Sequence, residues 1–230
     1  MKKSSIGPVS QSLANRGAGR PKSNQLQGEE LREHVIGAAS LVYSEHGYRD
    51  TSVAKIIESA GISRPLFYRL FKSCYEVIDI IVERANNALI DTTKQILATN
   101  TSLISMVSKG IDAYFEWCRN YGPVVGPIYR EISDKESPAY HHRHRLVASM
   151  IEQVNQMLFE HNQPELPVVF LDGLICVIEH IGSNTFWPEE QPETIVEQNR
   201  AIVKRIVLAS LVFDDKSGVV PAISLGNIQG

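Results

Sequence analysis

Cysteine is scarce in this chain: three residues in 230, Cys74, Cys118 and Cys176, widely spaced and odd in number. That spacing excludes a disulfide scaffold and fits a reducing, cytoplasmic compartment. The sequence has no paired Cys-x-x-Cys ligands, no His-Glu-x-x-His, no Gly-rich phosphate loop and no nucleophile elbow. The common signatures of metalloenzymes, nucleotide-binding enzymes and serine hydrolases are therefore missing, and no catalytic residue, metal or cofactor is expected. No apolar run follows the two N-terminal lysines, so no secretory signal is read. The longest apolar stretch, residues 168–181, contains Asp172, Glu179 and His180; it is too short to span a bilayer and reads as a buried helix. No strand-like alternation and no internal repeat occurs. Excess positive charge is also lacking: 23 Lys and Arg stand against 26 Asp and Glu, a net charge of −3. Taken alone, that sum argues against a strongly basic nucleic-acid protein.

The charge that is present is divided unevenly. Residues 1–75 hold 11 basic and 6 acidic side chains, whereas residues 76–230 hold 12 and 20. Such asymmetry points to a polyanion-binding segment carried by a body with another task. Residues 1–27 contain five basic residues and no acid among Ser, Gly, Gln and Asn, and are expected to form a disordered basic arm. Elsewhere the apolar residues recur at helical spacing, as Leu31, Val35, Ala38, Ala39 and Val42 do before Gly47. The pattern predicts further helices over 52–60, 64–71, 74–98, 103–121, 138–160, 168–184 and 193–213. The fold class is all-α.

Residues 52–71 carry the sharpest pattern. Two short helices are joined by Gly61-Ile62-Ser63, with Asp50 or Thr51 expected to cap the first helix and Ser63 the second. Pro65 falls in the first turn of the second helix, where no backbone donor is needed. This is helix-turn-helix spacing, whose second helix can enter the major groove. Arg64 and Arg69 supply donors for guanine or phosphate, and Ser63 and Tyr68 supply neutral donors.

The run from Thr51 to Ser73, with Gly-Ile-Ser-Arg, then Phe67-Tyr68, then Phe71-Lys72-Ser73, resembles the DNA-binding signature of the tetracycline-repressor (TetR) family of bacterial transcriptional regulators. The resemblance covers about 45 residues and implies an N-terminal three-helix helix-turn-helix domain followed by a C-terminal helical ligand-binding and dimerisation domain that begins with a linker helix. Carried over by position, Ser63, Arg64, Pro65, Leu66, Tyr68 and Arg69 lie at the DNA, Thr51 and Ser52 face phosphate, and the contact of the family's usual lysine, replaced here by Cys74, is either missing or moved to Lys72. Ile57 stands where the family has a small residue. The implied partners are a double-stranded DNA operator, a small-molecule effector and a second copy of the chain, joined through the two C-terminal helices, with no membrane. The expected boundaries are 1–27 for the arm, 28–76 for the DNA-binding domain, 77–214 for the ligand domain and 215–230 for a flexible tail.

Arg20, in Gly19-Arg20-Pro21, resembles the core of minor-groove hooks and is a further candidate contact, against the alternative of a solvated tail. Aromatic and methionine residues suggest an apolar ligand pocket formed by Met106, Tyr114, Trp117, Tyr121, Tyr129 and Met150, with Phe115, Phe159 and Met157 nearby. His141-His142-Arg143-His144-Arg145 reads as a solvated helical face, because the arginines repel a metal cation. Cys74 reads as a plain, partly exposed thiol, and Cys118 and Cys176 as core. The expected function is a homodimeric repressor released from a palindromic operator by a ligand. The alternatives are a small-molecule-binding protein or enzyme with an incidental helix-turn-helix, and a ligand-free architectural DNA-binding protein.

Overall fold

The computed structural model describes residues 28–99, 102–160, 162–189, 191–213 and 220–223, and these are helical with no strand among them. Arg20 and the rest of the arm lie outside the described residues, as does most of the C-terminal tail. In chain order the elements are α1 (Gly28–Asp50), α2 (Val53–Ala60), α3 (Arg64–Leu70), α4 (Cys74–Thr99), α5 (Leu103–Tyr121), a 3₁₀ turn (Gly122–Val124), α6 (Val125–Glu131), α7 (Pro138–Glu160), α8 (Val168–Phe186) and α9 (Glu193–Val212). They form two compact units. The first takes the chain up to Ala85 together with Arg119–His142, and the second takes Asn86–Cys118 together with Arg143 onward.

In the first unit, α1 buries Leu31, Val35, Ala38, Ala39 and Val42, the stripe the sequence pattern marks, and also Ile36 and Tyr43 off that stripe. Gly47 breaks the helix where the sequence places its end. It sits at φ 71°, a kink inside α1, and the chain turns helical again to Asp50. The cap of α2 differs from the expected Asp50 or Thr51. Ser52 is extended and its hydroxyl accepts the Lys55 N–H, while Thr51 is buried and its hydroxyl donates to the Gly47 carbonyl at 2.6 Å. Ser73 and Glu76 open α4 as the sequence suggests: Ser73 Oγ accepts the Glu76 N–H at 3.2 Å, and the Glu76 carboxylate reaches back to the Lys72 N–H at 2.6 Å.

In the second unit, α9 buries Val196, Val203, Val207 and Leu211. The stripe singled out in the sequence, Ile195, Ile202, Ile206 and Ala209, is the opposite one, and it is exposed. Both faces of this helix are apolar. Gly182 of α8 meets the Tyr114 ring so closely that a Cβ there would stand 2.7 Å from it, so glycine is what allows α8 and α5 to approach. Ion pairs from Arg200 to Glu116 and from Lys204 to Asp112 join α9 to α5. Among the described residues α8, at 19 residues, is long and apolar enough by length and composition to cross a membrane, which the shorter run marked in the sequence understates. Its Asp172 and Glu179 are engaged by Arg143 of the same unit.

Candidate nucleic-acid interface and ligand cavity

The reading head is built on the turn between α2 and α3. Gly61 adopts a left-handed conformation (φ 64°, ψ 40°), its N–H bonds the Glu58 carbonyl, and the Ile62 N–H bonds the Ile57 carbonyl. This paired closure ends α2 sharply and is best suited to glycine. Ser63 then starts α3 in an extended conformation without spending its hydroxyl on a helix cap. Pro65 fills the first turn. Phe67 is fully buried and packs edge-on against Tyr68 and at a tilt against Phe71, and the Arg32 guanidinium covers Phe71 at 4.6 Å. His34 Nε2 lies 2.9 Å from the Ala60 carbonyl, tying α1 to the end of α2.

The outward face of this assembly carries Ser63, Arg64, Pro65, Tyr68 and Arg69, all exposed, with Leu66 half-buried between them. Tyr68 is 51% exposed, a large fraction for an aromatic side chain that has no role in the core. Ser52 and Lys72 are exposed at either end. Thr51 departs from this group. Its side chain is turned inward and its hydroxyl proton is already donated, so its role among the described contacts is to hold the turn rather than to reach outward.

The second unit contains a partly open cavity of about 170 Å³, bounded by α4, α5, α7, α8 and α9 and lined almost entirely by aliphatic side chains, including Leu89, Ile111, Ile151 and Ile175. Of the candidate ligand residues, Met106, Tyr114 and Met150 line it; Trp117 is buried beside it, stacked on Tyr114 with ring centroids 5.5 Å apart. Tyr121 and Tyr129 belong to the first unit. Tyr121 lines a separate pocket there of about 320 Å³, together with Glu33, His34 and Arg84, and its hydroxyl reaches the Arg84 carbonyl at 3.5 Å. Phe159 is 77% exposed and does not line this cavity, because it falls on the outer face of α7.

The family model for "Bacterial regulatory proteins, tetR family" matches residues 35–79, the span from the middle of α1 into α4. The HTH-type transcriptional activator FasR of Mycolicibacterium smegmatis is 28% identical over 99 residues, which is 43% of this chain and 45% of that protein. The chain thus spans less than half the length of this relative. A tetR-family transcriptional regulator from Streptomyces coelicolor has a similar fold, with a TM-score of 0.60, 21% identity and coverage of 84% of this chain and 87% of that one. The fatty acid degradation regulator FadR from Bacillus halodurans is similar at a TM-score of 0.62 and 15% identity, over 81% of this chain and 96% of that one. Residues 35–79 thus match the DNA-binding segment of the TetR family, and the chain shares its helical fold with solved TetR-family regulators.

Several residues that organise this TetR-family head were not singled out in the sequence. Glu131, at the end of α6, accepts hydrogen bonds from the Tyr43 hydroxyl (2.9 Å), the Ser137 hydroxyl (2.9 Å) and the Tyr48 N–H (2.7 Å). Burial, followed by the Glu131 charge, pushes the Tyr43 hydroxyl well above its ordinary range, so it stays a donor. Arg49 pairs with Asp134 at 2.9 Å beside it. No local motif signals Glu131, because two of its three partners, Tyr43 and Tyr48, lie more than eighty residues earlier.

The histidine-arginine run is divided by the helix rather than solvated throughout. His141, His144 and Arg145 are exposed, but His142 is buried against Asp79 at 2.8 Å and Arg143 is drawn into ion pairs. Cys118 is buried as expected, with its thiol pushed far up by burial. Cys176 is exposed, against expectation, because it falls on the outer stripe of α8. Cys74 is half-buried, its thiol directed at the Thr51 carbonyl and raised by burial, which lowers its thiolate fraction at neutral pH.

Proposed function

We propose that this protein is a homodimeric repressor that binds a palindromic operator through α3 and is released when a small molecule fills the cavity of its second unit. The observation that carries the reading is the short helix α3, anchored by buried Phe67 and presenting Ser63, Arg64, Pro65, Leu66, Tyr68 and Arg69 outward. Arg64 and Arg69 match base-edge or phosphate recognition, Tyr68 and Ser63 match backbone positioning, and Ser52 and Lys72 flank them. Thr51 contributes by fixing the turn. The basic arm, residues 1–27 with Arg20, is the further candidate contact, followed by a DNA-binding domain to residue 76, a ligand domain to 214 and a tail.

A second copy is supported by the outer faces of α8 and α9. Val168, Val169, Ile195, Ile202, Ile206 and Phe213 are exposed there, more apolar surface than an isolated soluble chain usually leaves open. Two reading helices about one DNA turn, roughly 34 Å, apart require such a pairing. Release is supported by the continuity of α4, which buries Val77, Ile78 and Val82 in the first unit and supplies Leu89 and Thr93 to the cavity of the second. A ligand that prefers one position of this helix biases the DNA-binding state, and DNA reciprocally weakens the ligand.

Sedimentation at micromolar concentration, with and without a palindromic DNA, tests the reading. A dimer that binds both half-sites together supports it. A monomer occupying single half-sites independently contradicts it, and the paired substitution Ile202→Asp with Ile206→Asp should convert the first result into the second.

A further inference from the structure

The cavity of the second unit has one charged lining residue, and its setting restricts what the cavity can hold. The rest of the lining is aliphatic, apart from methionine sulfur, Thr93 and Tyr114, and the Thr93 hydroxyl is already donated to the Leu89 carbonyl at 2.9 Å. The charged residue is Glu179 of α8.

Glu179 is held from behind. Arg143 of α7 grips it through Nε (3.1 Å and 3.0 Å) and Nη2 (2.9 Å), and both side chains are only 12% exposed. Arg143 Nη2 also reaches Asp172 Oδ1 at 3.0 Å and Cys176 Sγ at 3.3 Å, so its Nε and Nη2 donors are taken up by protein acceptors. One guanidinium thus faces two carboxylates, and the local charge is −1. Burial raises the Glu179 carboxyl above its ordinary range despite the Arg143 contact, which is the behaviour of a site where negative charge is already costly.

Resting on the regulatory reading above, we infer that this cavity takes a medium-chain aliphatic ligand whose buried end is uncharged and offers a hydrogen-bond donor to Glu179, as an alcohol does, and that it discriminates against carboxylic acids. At about 170 Å³ it exceeds the ~150 Å³ that admits benzene in an apolar protein interior. A carboxylate entering it meets a like charge and no cationic residue in the lining. Burying that charge unpaired costs several kcal/mol or forces the acid to take up a proton. A hydroxyl has a waiting acceptor, since a carboxylate offers about four lone-pair directions and Arg143 occupies three at most.

The test is calorimetric titration of the full-length protein at pH 7.5 with alcohols from octanol to dodecanol and with the acids of the same chain lengths. The best alcohol is expected to bind at least about tenfold more tightly than its matched acid, the difference that 1.4 kcal/mol gives. An acid binding as tightly as its alcohol overturns the inference, as does absence of binding by every alcohol. Met150→Trp, and independently Val107→Phe, fill the cavity and are expected to abolish alcohol binding. A folded filled variant that binds the alcohol unchanged overturns the assignment to this cavity. Operator release is read separately, by anisotropy of labelled DNA. Alcohol binding without release contradicts the regulatory reading and leaves the ligand class standing; acid-driven release does the reverse.

Discussion

Glu131 fills the space that a side chain on Gly47 would need: a Cβ at Gly47 would stand 2.8 Å from Glu131 Oε1. The same oxygen takes the Tyr48 N–H at 2.7 Å. The kink in α1 and the carboxylate at the end of α6 therefore define each other. Gly47→Ala meets both a positive φ and this contact, and is expected to cost about 1–3 kcal/mol. Glu131→Ala strands the Tyr43, Tyr48 and Ser137 donors and is expected to cost a similar amount, about 1–3 kcal/mol. Denaturant unfolding checks both. If either variant matches the wild type, the latch does not hold the head.

Arg69 and Phe67 are close in sequence and opposite in consequence. Arg69→Ala is expected to leave thermal stability unchanged and to weaken operator binding by about 1–3 kcal/mol, with specificity relaxed at one base pair if the guanidinium reads a base. Phe67→Ala empties a fully buried position and is expected to cost about 3–5 kcal/mol of folding stability. Melting curves and binding isotherms on both proteins separate the two outcomes. An Arg69 variant that melts early, or a Phe67 variant that does not, contradicts the assignment of outward and inward faces.

Glu179 gives a pH dependence of a definite sign. Its folded-state carboxyl is raised, chiefly by desolvation, so the native state binds its proton more tightly than the unfolded chain does. The stability this contributes is fully present below the unfolded value, about 4.3, and is lost as pH rises through the folded value. Compared with a Glu179→Gln variant, the wild type is expected to lose ground steadily on going from pH 4 to neutral. A difference that is flat, or that slopes the other way, shows that Arg143 rather than burial governs this carboxyl.

The three cysteines offer an order of reactivity. Cys118 is expected to resist alkylation until the protein is unfolded, and Cys74 to react slowly, since burial holds both thiols up. Cys176 is expected to react fastest in the Ile202→Asp/Ile206→Asp protein and more slowly in the wild type, where the second copy covers α8. Mass spectrometry of timed samples reads the order directly. Equal Cys176 rates in the two proteins contradict the proposed dimer face.

The helix-turn-helix was legible because its determinants are local. Gly61 closes α2, Pro65 starts α3, and the order of outward and inward residues follows from seven consecutive positions. The helical character of the rest followed from apolar spacing alone. The faces of α9 were not assignable that way: with Val196, Val203 and Val207 on one side and Ile195, Ile202 and Ile206 on the other, periodicity marks two stripes and does not say which one the same chain covers. The cavity was legible only in part. Methionine and aromatic content pointed to Met106, Tyr114 and Met150, whereas the aliphatic majority of the lining looks like any core, and Tyr121 and Tyr129 are assigned to the other unit by contacts distant in sequence. Arg143 was hidden for a related reason. Its partners on α8 lie about thirty residues away, so its charge read as solvated.

Selection of bound sequences from random double-stranded DNA is the measurement that bears most directly on α3 as a paired reading helix. The expected result is enrichment of one palindrome, its half-sites about one helical turn apart, lost on substitution of Arg64 or Arg69. Uniform recovery of DNA, or an enriched site without two-fold symmetry, would contradict it.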